Sequence, residues 1–341
     1  MLSLGSVSIV YGALGPLRYS TAVFRQGIFQ AVSNARIHHY RMVERPAPAV
    51  LFSPTMTTFS LARFLSGRRR LISRTLAASL ILLTTGANAF ATWSVIAIDR
   101  KKKQIVIASA TCVPQEAFAS FPAKGLKDVQ AIIIPGVGVA AAQANVYRTR
   151  TLQALIATEL KRNTEPARII DLLKSQDSNH PTRQYGILDF QGRGAGYSGA
   201  QNGKQSLDRQ GRVDGTEVYF SIQDNILAGD DVVEEAVKAF RAAKGSLADR
   251  VMAAMEAADA HGGDRRCNCE TPPDPPAPCD NKTAHVAYIV IANQKDKMGS
   301  GLNDGSYYRE ISVTDKDITA DENDNPVKTL RIRYDKWRRS H

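Results

Sequence analysis

A chain of 341 residues with 43% hydrophobic content is long enough to bury a large core, in one large domain or two. Its formal charge of +11 invites a nucleic-acid or membrane partner, but the charge is unevenly placed. Residues 1–91 hold ten of the 44 basic side chains and one of the 33 acidic ones, so the remainder carries 34 against 32 and no nucleic-acid ligand is expected.

Residues 1–55 carry no pattern that suggests chemistry. A secretory leader spans about 15 to 30 residues, and Met56 stands a suitable distance ahead of Arg63, so 1–55 reads as an upstream extension and 56–91 as a signal peptide. Arg63, Arg68, Arg69, Arg70 and Arg74 form its charged region, and Thr75–Thr85 is an 11-residue apolar run. Ala87-x-Ala89 and Ala89-x-Ala91 are two overlapping cleavage signals. The apolar run falls short of the roughly 20 residues that a spanning helix needs, which predicts export with leader removal rather than a stable membrane anchor. The protein is therefore expected to be secreted or periplasmic. Arg68-Arg69-Arg70-Leu71-Ile72 also loosely matches a twin-arginine signal, although three arginines are ordinary for a charged region. Cleavage after Ala91 would make Thr92 the first residue, whereas cleavage after Ala89 would leave Phe90-Ala91 ahead of it. An amino-terminal Thr joins a nucleophile to a base, because the α-amine has a pKa of roughly 8 and lies beside its own Oγ.

From Thr92 the pattern is strand-like. Trp93, Val95 and Ala97 alternate with Ser94, Ile96 and Ile98, and a lysine-rich turn separates this run from Ile105–Ala110, which predicts a hairpin. Val129–Ile134 and Val137–Ala144 flank a Pro135-Gly136 turn as a second pair, and the small residues of the latter require close packing. Helices are expected over Thr149–Arg162 and Pro166–Lys174, then a hairpin of Gln184–Asp189 and Arg193–Ser198, and a strand over Glu217–Ile222. Two more helices span about Asp231–Lys244 and Ser246–Ala260, with strands at His285–Ala292 and Tyr307–Val313 and a closing helix at Pro326–Arg338. This order suits sheets covered by helices, an α+β domain, rather than a doubly wound parallel sheet.

Cys112, Cys267, Cys269 and Cys279 make an even count, three of them in one Pro-rich loop. Two disulfides with three possible pairings fit an exported chain, and C-x-C with a third Cys ten residues on fits no common zinc spacing. Gly192-x-Gly194-x-Gly196 lies in a hairpin rather than between strand and helix, so no dinucleotide cofactor is implied. Asp315, Asp317, Asp321 and Asp324 form an acidic loop that lacks the EF-hand glycine and closing Glu, and no cofactor is expected.

Several segments together carry a resemblance. They are Ala91–Ile96, Ser109–Cys112, Pro135–Gly138 running to Gln143-Ala144, Arg183–Asp189, Asn225–Leu227 and Gly262–Cys267. The chain resembles the secreted branch of the uncharacterised family called domain of unknown function 1028, similar in fold to the N-terminal nucleophile hydrolases. The resemblance implies a single four-layer αββα sandwich over 92–341. It implies Thr92 as nucleophile and, through its amine, general base; a strand residue merely adjacent to a cleavage site is the other reading. Ser94 shares a face with Thr92 and would orient it or hydrogen-bond in the core. Gln143 and Asn225 are amides near strand ends, either donating to an oxyanion or holding a loop. Asp264 and Arg265 would hold a charged ligand or form an internal ion pair, the latter being expected. Two departures stand out: Ile105–Thr111 contains no Lys to lower the pKa of the amine, and Asp224 stands where the family usually shows Gly.

Two functions follow as expectations. The first is an exported amidohydrolase acting through Thr92 on a small-molecule or peptide amide; the second is a non-catalytic exported binding or structural protein on the same fold. A homo-oligomer stays open under either.

Overall fold

A computed structural model of the chain describes residues 92–340 apart from 122–123, 204–205 and 226–227. The upstream extension, the signal peptide and the Ala91 cleavage site lie outside the described residues. Ten strands run through the described part: β1 (Thr92–Asp99), β2 (Gln104–Thr111), β3 (Ala131–Ile134), β4 (Gly138–Ala144), β5 (Arg183–Asp189), β6 (Gly194–Ser198), β7 (Ser206–Arg212), β8 (Val218–Asn225), β9 (Val286–Asn293) and β10 (Arg309–Thr314). The helices are α1 (Leu126–Gln130), α2 (Thr151–Lys161), α3 (Pro166–Gln176), α4 (Asp231–Ala242), α5 (Leu247–Ala260) and α6 (Pro326–Arg339), with a 3-10 turn at Gln115–Ser120.

The strands form two antiparallel sheets, a six-stranded one in the order β10-β9-β2-β1-β8-β7 and a four-stranded one in the order β3-β4-β5-β6. Period-2 alternation sends successive β1 side chains to opposite faces, and both faces are covered, so every residue of the strand is buried. Trp93, Val95 and Ala97 pack with Val232, Phe240, Val251 and Met255 of α4 and α5. Ile96 and Ile98 turn the other way and meet Ile133, Val139 and Leu188 of the second sheet. Ile132, Ala140, Tyr185 and Ile187 on that sheet's far face pack with Ile156, Leu160, Ile169 and Leu173 of α2 and α3. Three apolar interfaces therefore separate four layers: the fold is α+β, a four-layer αββα sandwich.

Local chemistry sets the helix ends. Ser246 and Asp249 form a reciprocal capping box at the start of α5, and Asn325 caps α6 by accepting the Val327 N–H ahead of a Pro at the first position. Pro135-Gly136 turns between β3 and β4 with Gly136 at φ +74°, a conformation that glycine adopts without penalty.

The cysteines pair as Cys112–Cys267 and Cys269–Cys279. The first bond ties the end of β2 to the loop after α5, and the second closes the Pro-rich loop. The acidic loop sends its carboxylates to separate partners. Asp317 pairs with Arg333 at 2.9 Å and Asp324 with Lys282 at 3.0 Å, while Asp315 accepts the Gln115 N–H and Asp321 the Thr319 hydroxyl.

Two expectations are corrected. Val129 and Gln130 end a short helix rather than begin a strand, because a brief apolar run does not by itself separate the two. β7, with the sequence Ser-Leu-Asp-Arg-Gln-Gly-Arg, was not expected; it is a partly exposed edge strand whose polar residues carry no strand signal.

Candidate functional site

Thr92 opens β1, the strand flanked on both sides within the larger sheet, and its register partners are Thr111 on β2 and Asn225 on β8. It is 3% exposed, and its Oγ1 donates to the Thr111 Oγ1 at 3.2 Å. Thr111 Oγ1 also accepts the Val113 N–H at 3.2 Å. Two amides hold the Thr92 carbonyl: Gln143 Nε2 donates to it at 2.7 Å and Asn225 Nδ2 at 3.3 Å.

These amides belong to a buried network between the sheets. Ser94, two residues along and on the same face, donates to Gln143 Oε1 at 2.6 Å, and Gln130 Nε2 reaches the same oxygen at 2.6 Å. Tyr288 OH donates to Gln130 Oε1 at 2.8 Å. Gln184 Oε1 accepts from Gln143 Nε2 at 2.7 Å and from Asn225 Nδ2 at 3.0 Å, and its own Nε2 donates to the Asp224 carbonyl at 2.7 Å. Buried amides require such partners, because each unsatisfied group costs about 1–3 kcal/mol. The consequence is positional: two donors on one carbonyl fix the backbone from which the Thr92 hydroxyl projects.

Beside Thr92 and Thr111 lies a small cavity of about 20 Å³, room for roughly one water-sized group. Val113, Phe118, Leu126, Val129 and Val146 form much of its wall. Ala144, also on the wall, sits at φ 70°. A non-glycine residue in that region carries about 1–3 kcal/mol of backbone strain, retained because the surrounding sheet dictates the path of the chain.

The other face of the same strand ends is acidic. Asp224, opposite Trp93, is buried with no hydrogen-bond partner for either side-chain oxygen, and burial, reinforced by Asp264, pushes its carboxyl well above the usual range. Asp264 accepts the Cys112 N–H at 3.0 Å and is bridged by Arg266 Nη2 at 2.6 Å. His285 donates its backbone N–H to the Thr111 carbonyl at 2.7 Å. Its imidazole is pushed down to about 4 by burial and by the charges of Lys282 and Arg266.

Residues 92–271 match the family of unknown function DUF1028. The chain belongs to this family. A DUF1028 protein from Silicibacter pomeroyi, known from its crystal structure, aligns with a TM-score of 0.50 at 18% identity, covering 72% of this chain and 85% of its own. That likeness concerns the fold. No curated protein matches the chain.

Within this DUF1028 domain, four of the six expected site residues come together: Thr92, Ser94, Gln143 and Asn225 share one hydrogen-bonded network. Of the two readings for Gln143 and Asn225, an oxyanion donor or a structural amide, the hydrogen bonds match the second, since their N–H groups donate to the Thr92 carbonyl and to Gln184. Asp264 lies apart from the network. The expected Asp264–Arg265 pair is corrected to Asp264–Arg266: the Arg266 backbone N–H closes a tight turn onto Asp264 Oδ1, bringing its guanidinium back over the carboxylate.

Thr111, Gln130, Gln184 and Tyr288 were missed. For Thr111 a signal existed: once the β1–β2 turn is fixed at residues 100–103, antiparallel counting puts it opposite Thr92. Gln184 and Tyr288 come from distant strands and Gln130 from a five-residue helix, and no local pattern joins them to Thr92.

Proposed function

We propose that this DUF1028 protein is an exported amide hydrolase of the N-terminal nucleophile type, with Thr92 as its nucleophile once the leader is removed. The observation that carries the reading is the setting of Thr92: it heads a central strand, its carbonyl is clamped by two amides, and its hydroxyl meets Thr111 beside a cavity. The family match begins at this same residue. Two disulfides and the leader pattern favour export.

In the reaction, Thr92 Oγ1 adds to the amide carbonyl carbon while the freed α-amine takes its proton. The carbon–nitrogen bond breaks, the proton passes to the departing amine, and water hydrolyses the resulting threonyl ester. Thr111 positions the hydroxyl before attack, and Gln143 and Asn225 keep the strand end from shifting.

One observation favours the second reading, a non-catalytic exported binding or structural protein. Thr92 is 3% exposed, and the cavity beside it has room for about one water.

The test is to express the full chain with export, determine the mature N-terminus by intact mass, and screen an amide library. A Thr92 start, turnover by the parent, retention in Thr92→Ser and background rates in Thr92→Ala are expected. A Phe90 start, or undiminished turnover in Thr92→Ala, overturns the mechanism.

A further inference from the structure

We infer that the cavity beside Thr92 is an acyl subsite selecting the acetyl group, one uncharged carbon beyond the carbonyl; this rests on the hydrolase reading above. Three observations lead to it. The cavity adjoins the nucleophile and lies against the face carrying Ser94 and Gln143. No charged side chain lines it, and the two glutamines in its wall, Gln130 and Gln143, already use each other and Tyr288 as partners. A carboxylate entering it would shed its hydration and find no counter-charge.

Size decides the rest. At about 20 Å³ the cavity takes one water-sized group, so a methyl is the largest substituent it accommodates without displacing a wall residue such as Phe118 or Val146. Phe118 is buried and comes from the 3-10 turn after β2, while Val146 is half-buried and lies just beyond the strained Ala144. Both line the cavity, from two different segments, so shortening either enlarges it.

The experiment uses the exported full-length product and the p-nitroanilides of acetic, propionic, butyric, hexanoic, succinic and benzoic acids. Turnover is measured on the parent, and calorimetric binding of the matching primary amides on Thr92→Ala. The expected result is the highest kcat/KM for acetyl, with propionyl lower by about tenfold, the low end of the cost of overpacking by one methylene. Hexanoyl, succinyl and benzoyl should fall to background. Phe118→Ala should move the optimum to butyryl or hexanoyl. Should that variant fail to melt cooperatively, Val146→Ala is expected to make the same shift on a smaller scale.

Turnover without chain-length dependence, or with succinyl preferred, overturns the subsite and leaves the hydrolase reading standing. Absence of turnover, with amide binding that keeps the short-chain ranking and shifts in Phe118→Ala or Val146→Ala, overturns the hydrolase reading and retains the subsite. Neither binding nor turnover overturns both.

Discussion

The two halves of the inter-sheet layer are built on opposite principles. Beyond Ile96 the strands meet through hydrocarbon: Ile96, Ile98, Ile105, Ile107, Ile133, Val139 and Leu188 fill the space between the sheets. Before it, the same faces of the same strands present Thr92, Ser94, Thr111, Gln143, Gln184 and Asn225, all buried and linked by hydrogen bonds. Hydrocarbon contact is non-directional and tolerates small shifts, whereas a chain of amides holds only when each donor finds its acceptor. The aliphatic half glues the sheets together; the amide half specifies where one residue sits.

That contrast can be broken by substitutions that nearly conserve volume. Gln143→Leu strands the Ser94 hydroxyl and the Gln130 amide as buried donors, and at about 1–3 kcal/mol each the loss should reach about 2–6 kcal/mol in urea unfolding. Ile107→Val in the other half should cost only about 0.5–1.5 kcal/mol. Equal losses at the two sites would show that the amides act as mere filler.

Acid sharpens the comparison, because His285 sits at the amide end. Its folded pKa of about 4 lies below the ordinary value of 6.5, so on acidification the unfolded chain takes up a proton first. The stability that this group contributes is complete above the ordinary value and is lost as pH falls toward 4. The stability of the parent relative to His285→Phe should therefore fall on acidification, by an amount on the order of 3 kcal/mol, read from urea curves at each pH. A constant difference would remove His285 as the cause.

The smallest effect has the opposite sign. Asp224 has a raised folded pKa, so above the ordinary carboxylate range the unfolded chain is ionised while the folded one resists ionisation, and stability falls as pH rises. Asp224→Asn should melt above the parent at pH 8 by at least about 2–4 °C, with the gap closing toward pH 4. A lower melting temperature at pH 8 would mean that the buried carboxyl has a partner which the amide does not replace.

Much of the architecture was legible in the sequence because two periodicities mark it. The alternation in Trp93–Ile98 and Leu247, Val251, Met255 and Ala258 at helical spacing each report an apolar face, and Pro135-Gly136 marks the turn between two strands. The amide half of the layer was legible only in part. Thr92, Ser94, Gln143 and Asn225 stand out through the family resemblance, but Gln184 and Tyr288 acquire meaning only through pairings between distant strands. Ion pairing in tight turns was likewise beyond reach, since whether Arg265 or Arg266 returns to Asp264 depends on the local backbone path.

Gly186 carries one more consequence. It faces the larger sheet from β5, and a Cβ built there would fall within the side-chain amide of Gln223. Positions 186 and 223 therefore share one volume allowance across two sheets. Homologues should exchange these residues as a couple: a methyl-bearing residue at the first is expected only with a shorter side chain at the second. An aligned set of sequences can check that rule without any protein being made.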